Sequence, residues 1–192
     1  MNAVDQTGNK PVVVPAAARA AVQAAAEQTQ YLTFMLGGEV FAIGILAIKE
    51  IIEYGSLTTV PMMPACIRGV INLRGAVVPV MDLSARFGKK TTEATKRTCF
   101  VIVEIEADGE SRDVGVIVDA VNAVLEIPAS EIEPAPAFGA KIRTDFIQGM
   151  GKVNGKFVIL LDLNRILSMD EMGALAEAGA GAQAPLPEAA AA

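Results

Sequence analysis

The chain contains one segment twice. Residues 67–83 read IRGVINLRGAVVPVMDL and residues 147–163 read IQGMGKVNGKFVILLDL, 80 positions apart, with six of seventeen residues identical: Ile67/Ile147, Gly69/Gly149, Gly75/Gly155, Val78/Val158, Asp82/Asp162 and Leu83/Leu163. Upstream, AIGILAIKEIIE at 42–53 has a counterpart in GVIVDAVNAVLE at 115–126, offset by 73, so the seven-residue difference falls in the loop that precedes the stronger match. A duplicated unit narrows the choice of fold to one in which two sibling lobes pack side by side, and their junction offers a groove that neither lobe has alone.

Each copy opens on a strand, a tight turn and a second strand. The first reads YLTFML, Gly37-Gly38, EVFAI; the second reads TCFVIVEIE, the turn 107–110, RDVGVIV. Each copy closes on another hairpin, whose turn in the second copy is Val153-Asn154-Gly155-Lys156; Asn-Gly is the strongest short signal for a two-residue turn with positive φ at both central residues. Between the hairpins lie ILAIKEII and DAVNAVLEI, where Ile45, Ile48 and Ile51, and then Val118, Val121 and Val124, recur at helical spacing. That spacing predicts one or two helical turns feeding another strand. Many short strands with Gly-rich turns predict a mainly β fold of two small five-stranded barrels, with short helices and a C-terminal helix opened by the S-x-x-E box at 168–171.

The lobes are expected over about 30–90 and 97–167, joined by the polar stretch KKTTEATKR at 89–97, within an ordered domain spanning 30–172. Ala-rich tails flank it at 1–29 and 173–192. A domain near 150 residues buries roughly 70% of its unfolded surface, so neither disulfide nor metal is required. Cys66 and Cys99 stand far apart and read as buried thiols of a reducing compartment.

Composition then removes whole classes of function. The chain has no histidine, hence no His base, no His zinc ligand and no Ser-His or Cys-His nucleophile. Net charge of -6 weighs against nucleic acid as a partner. No apolar run approaches the ~18 residues of a membrane span, so no direct membrane insertion and a cytoplasmic location are expected. Gly149, Gly151 and Gly155 lack the spacing and the following helix of a phosphate loop. No cofactor or metal is expected, and the chain is expected not to be an enzyme.

Particular residues remain. Asp82 and Asp162 each end a strand just before a helical turn, which predicts helix caps rather than an acid/base pair. Pro79 stands inside AVVPVMDL where the second copy has Ile159, and a proline there predicts a break in the strand ladder. Gly69, Gly75, Asn154 and Gly155 read as structural turn residues. Where the second copy has Asn154, the first has Arg74, a poor choice for positive φ. Turn chemistry leaves three readings for it: a solvated arginine packing its stem, a partner-binding arginine, or a structural pair with Glu50, whose counterpart is Ala123.

PACIRGVINLRGAVVPVMDLSARFG at 64–88, with VFAIGILAIKEI before it and VGVIVDAVNAVLEI, IRTDFIQGMGKV and VILLDL after it, resembles the CheW-like family of bacterial chemotaxis coupling proteins over about residues 31–172. The resemblance implies two SH3-like five-stranded barrels. It also implies a non-catalytic adaptor that couples transmembrane chemoreceptors to the histidine kinase CheA. The receptors' cytoplasmic helical tips are then received in an apolar groove between the barrels, and the kinase's regulatory domain at a barrel end. Other copies of the same fold become possible partners in arrays recruited to the membrane. Receptor and array contacts map onto Ile48, Glu50 and Arg74. Asn122-Ala123 departs from the acidic residue many relatives carry there. A coupling role in a non-flagellar pathway such as twitching, and a small carboxylate-dependent enzyme using Arg74, stand as alternatives.

Overall fold

A computed structural model describes residues 30–107, 109–137 and 142–168. The four expected hairpins form: β1 (Gln30–Leu36) with β2 (Glu39–Gly44), β4 (Ile67–Leu73) with β5 (Ala76–Asp82), β6 (Cys99–Ala107) with β7 (Glu110–Val118), and β10 (Ile147–Val153) with β11 (Lys156–Leu161). Between the hairpins run β3 (Ile48–Glu53), β8 (Ala120–Glu126) and the two-residue β9 (Ile132–Glu133). The helix expected after Ser168, and both tails, lie outside the described residues.

The stretches expected as helical turns are strands. Only Ile45–Ala47 makes a single 3₁₀ turn before β3, and DAVNAVLEI continues from β7 into β8. A β-bulge explains the false helical period: register shifts between Ile48 and Glu50, and at the matching point opposite Thr33 and Phe34, insert Lys49 and Asn122 as extra residues. One inserted residue turns a spacing of two into three. The β-branched residues settle the choice in favour of strand.

Each sheet draws strands from both halves of the chain. The five-stranded sheet has the order β3-β6-β7-β5-β4, and the six-stranded sheet β8-β1-β2-β11-β10-β9. In terms of the repeat these orders are equivalent, with each copy's first hairpin inserted into the sheet built by the other copy's remaining strands. The lobes expected as contiguous segments over 30–90 and 97–167 are therefore interleaved. Even the extra strand β9 has an echo, because the isolated bridge Thr58 to Val70 lies against β4 as β9 lies against β10.

Interleaving explains why the strands are apolar on both faces. Along β6, Phe100 and Ile102 enter a small core of the five-stranded sheet with Ile71, Val78, Val80 and Ile117, while Val101, Val103 and Ile105 face the other way. That other side is the largest core, where they meet Leu32, Phe34, Leu36, Phe41 and Ile43 of the six-stranded sheet. A third cluster of Tyr31, Ala42, Ile127, Val158 and Leu160 fills the six-stranded sheet. Two lobes around a common core is the arrangement the duplication implied.

Pro79 does not break β5 as expected: it keeps its place opposite Val70 in the β4/β5 ladder, and only a pairing on the β7 side is missing. In the six-stranded sheet Ile159 pairs with Phe41 across the parallel β11/β2 contact, whereas the corresponding β5/β7 pairing begins only at Val80. The connection at 89–97 is less solvated than its composition suggests, since Thr92 is buried. Cys66 is buried and Cys99 half-buried, and both are free thiols.

Candidate functional site

Two distant pieces of chain meet at the open side of the five-stranded sheet. β3 and β4 are its edge strands, and the hairpin turn after β4 carries Arg74 back towards β3. Arg74 Nη1 donates to Glu50 Oε1 and Nη2 to Oε2, both at 2.9 Å, a fork-to-fork pair across 24 residues. Such bidentate geometry fixes direction as well as charge. The arginine side chain is 78% exposed and the glutamate 24%, so the pair presents a cation over a partly covered acid.

Local sequence explains how each partner is aimed. The bulge at Ile48–Glu50 offsets the alternation of β3 and directs Glu50 towards the turn. Lys49, the inserted residue, bridges Glu104 and Asp113 at 2.7 Å each; hydrogen bonds to Asp113 and then Glu104 raise the ammonium above its ordinary range. Arg74 takes φ of 51° and Gly75 87°, closely matching 51° and 75° at Asn154 and Gly155. The first copy holds this turn with a different residue: Gly75 N–H donates to Asn72 Oδ1 at 2.9 Å, where the second copy has Lys152. Moving the asparagine two positions earlier leaves the turn position free for arginine.

Glu50 and Arg74 are thus brought together, and Ile48 is not part of the pair. Ile48 is half-buried against the common core where the chain crosses from one sheet to the other. Beside it, Leu46 is 58% and Ile51 42% exposed. The hollow next to the ion pair, about 310 Å³, is lined by Lys49, Glu50, Leu73, Arg74, Ala76, Val78 and Asp113, all from the five-stranded sheet.

The paired aspartates are caps with unequal surroundings. Asp82 is completely buried and accepts from Ser84 N–H (3.0 Å), Ala85 N–H (3.4 Å), Thr92 N–H (2.7 Å), Thr92 Oγ1 (3.0 Å) and Arg68 Nη1 (3.0 Å), at the start of α1 (Leu83–Arg86). Asp162 caps α2 (Leu163–Ile166) through Arg165 N–H at 3.3 Å and is partly exposed. Arg68 is itself an inserted bulge residue, matched by Gln148 in the second copy. Sequence reasoning missed Lys49, Arg68, Asn72 and Thr92; the signal available was that Lys49, Arg68 and Asn72 differ in charge or hydrogen-bonding type from their counterparts.

Comparison with known proteins fits this architecture. A family model described as CheW-like domain matches residues 30–171. The chain belongs to the CheW family. Among its relatives, the Chemotaxis protein CheW of Klebsiella aerogenes is 35% identical over 143 residues, covering 74% of this chain and 84% of that protein. Protein FrzA of Myxococcus xanthus is 30% identical over 159 residues, covering 81% and 95%. The crystal structure of the scaffolding protein TtCheW from Thermoanaerobacter tengcongensis superposes with a TM-score of 0.65 at 35% identity over 72% of this chain and 87% of that one. The mainly β, two-lobed arrangement expected from the duplication, with the SH3-like lobes that the resemblance implied, is thus the CheW fold. No helix among the described residues is long and apolar enough to cross a membrane.

Proposed function

We propose that this chain is a non-catalytic adaptor that couples transmembrane chemoreceptors to the histidine kinase CheA in chemotaxis signalling, working in the cytoplasm at membrane-associated receptor arrays. The observation that carries the reading is the Glu50–Arg74 fork, an exposed bidentate pair on one lobe where the sibling lobe has Ala123 and Asn154. Turn stability alone favours asparagine at position 74, and on this reading the arginine, aimed by Glu50 and 78% exposed, is kept for a partner that meets its open face. Ile48, half-buried at the crossover between sheets, places the same strand beside the junction where a receptor's helical tip would lie. The kinase regulatory domain, built on the same fold, docks at a barrel end.

The test is co-sedimentation of purified chain, receptor-containing membranes and CheA, with kinase activity as the readout. Wild-type chain is expected to enter the complex and change kinase activity; Arg74→Ala and Glu50→Ala are expected to enter weakly. A wild-type chain that neither binds nor alters the kinase sinks the proposal. A second reading, coupling in a non-flagellar pathway such as twitching, is favoured by the likeness to Protein FrzA. A pull-down of cognate receptors from native lysate separates the two.

A further inference from the structure

Three non-glycine residues among those described have positive φ: Asn154, Arg74 and Met62. Asparagine tolerates that region through its short polar side chain, and Arg74 has its fork with Glu50. Met62, at φ 61°, has neither advantage. It sits in a turn between Pro61 and Met63 in the loop before β4, the part of the repeat where the two copies differ in length by seven residues. In this turn Met62 is 83% exposed, with Met63 beside it at 45%.

The rest of the described sulfur is more covered. Met81 is fully buried, and Met35 and Met150 are half-buried. Cys66 is buried, and Cys99 is half-buried with its Sγ directed at the Arg97 carbonyl (3.4 Å). Burial raises both thiols above the ordinary range, which disfavours the thiolate that reacts with peroxides. A thioether needs no deprotonation, so access alone decides its rate.

We propose that Met62 and Met63 form a reversible oxidation site for hydroperoxides, at which sulfoxide formation turns an apolar loop tip polar while leaving the fold intact. A sulfur lone pair attacks the distal peroxide oxygen, the O–O bond breaks, an S=O bond forms, and the departing hydroxide or alkoxide takes up a proton to leave as water or alcohol. Sulfur loses two electrons and the peroxide gains two. Reversal takes two electrons from a dithiol through the methionine sulfoxide reductases, one for each sulfoxide epimer. Exposure of both side chains means that the added oxygen meets solvent and not a packed core, unlike oxidation at Met81.

The test is timed exposure of the full chain to hydrogen peroxide, quenching, thiol alkylation and tryptic mapping by mass spectrometry. Met62 and Met63 fall in the peptide 50–68 and Met81 in 75–86, so fragment spectra resolve each site. Oxidation at Met62 and Met63 is expected about tenfold or more faster than at Met81 and ahead of either cysteine. The melting temperature is expected to hold, and the two reductases to return the peptide to its starting mass. Met62→Leu/Met63→Leu is expected to remove the fast phase and keep the melt. Equal rates at Met62 and Met81, prior oxidation of Cys66 or Cys99, or a melt that falls with Met62 oxidation would each overturn the assignment.

Discussion

The two lobes share their backbone and differ in where they place charge. Both have a bulge in the third strand and another at the start of the last hairpin, both turn that hairpin through positive φ at two residues, and both end it in a capping aspartate. At the bulges the five-stranded sheet has Lys49 and Arg68, the six-stranded sheet Asn122 and Gln148; at the turn the residues are Arg74 and Asn154. Every charged member has an acid to meet: Glu104 and Asp113, Asp82, and Glu50. Geometry inherited by both copies is thus scaffold, and the charges added to one copy either lock it internally or face outward. Burial separates these cases, since Asp82 is inaccessible and Arg74 is mostly in solvent.

The largest difference should appear at the caps. Asp82→Ala removes five contacts, leaves the Thr92 N–H without its acceptor and leaves the Arg68 guanidinium with only the Thr92 carbonyl (3.3 Å) in place of its carboxylate, so a loss of about 3–5 kcal/mol is expected. Asp162→Ala removes a partly exposed cap and is expected to cost about 1 kcal/mol. Urea unfolding of both variants measures the gap. Equal costs would show that the buried network adds nothing to an ordinary cap.

Glycines of the first copy's last hairpin offer the next contrast. A Cβ on Gly69, at φ 145°, would run into the Thr58 carbonyl oxygen, which belongs to the backbone and is held by the bridge to Val70. Gly75, at φ 87°, has open space around it. Gly69→Ala is therefore expected to cost about 3 kcal/mol, through clash and strain together, and Gly75→Ala about 1 kcal/mol from strain alone. Thermal melts with matched baselines distinguish them; a milder Gly69 variant would mean that the Thr58 segment yields.

Burial of the thiols makes a smaller contribution with a definite sign. Cys66 and Cys99 are both raised above the ordinary thiol range, mainly by desolvation. The unfolded chain therefore loses these protons at lower pH than the folded one. Their contribution to stability is whole below the unfolded pKa and is lost as pH rises through the unfolded and then the raised folded value. Denaturation at neutral and strongly alkaline pH should show a decline that is shallower in a Cys66→Ala/Cys99→Ala chain. An unchanged slope would mean that other groups account for it.

Most of the fold was legible because duplication fixes relations between segments. Four hairpins, the Asn-Gly turn and the two caps followed from local chemistry, whereas Pro79 stays within the β4/β5 ladder and forgoes only a pairing with β7. What failed was the reading of 45–52 and 119–127 as helical, because a bulge imitates helical spacing when only the apolar positions are considered. Interleaving of the lobes was hidden for a different reason: whether a hairpin packs on its own copy or on the sibling is decided by the common core, and the strands look alike in either case. At the site, Arg74 announced itself by misfitting its turn, and Glu50 by having Ala123 as counterpart. Lys49 and Arg68 became meaningful only once the bulges that aim them were visible.

The smallest effect on stability is expected at the residues proposed to matter most outside the fold. Arg74 is 78% exposed, so solvent screens its attraction to Glu50, and Asn72 holds the turn without it. Arg74→Ala should change stability by no more than about 0.5 kcal/mol, and the Glu50→Ala/Arg74→Ala cycle should give a coupling below about 1 kcal/mol. Arg74→Asn, which copies the sibling turn, should be neutral or slightly stabilising and yet enter the receptor–kinase complex as poorly as the alanine variant. That variant is the decisive one, because its turn chemistry is better and only the guanidinium is missing. If it assembles normally, the arginine is a turn residue that the fold happens to tolerate; if it melts well below the wild type, the fork with Glu50 closes the open edge of the sheet and its role is structural.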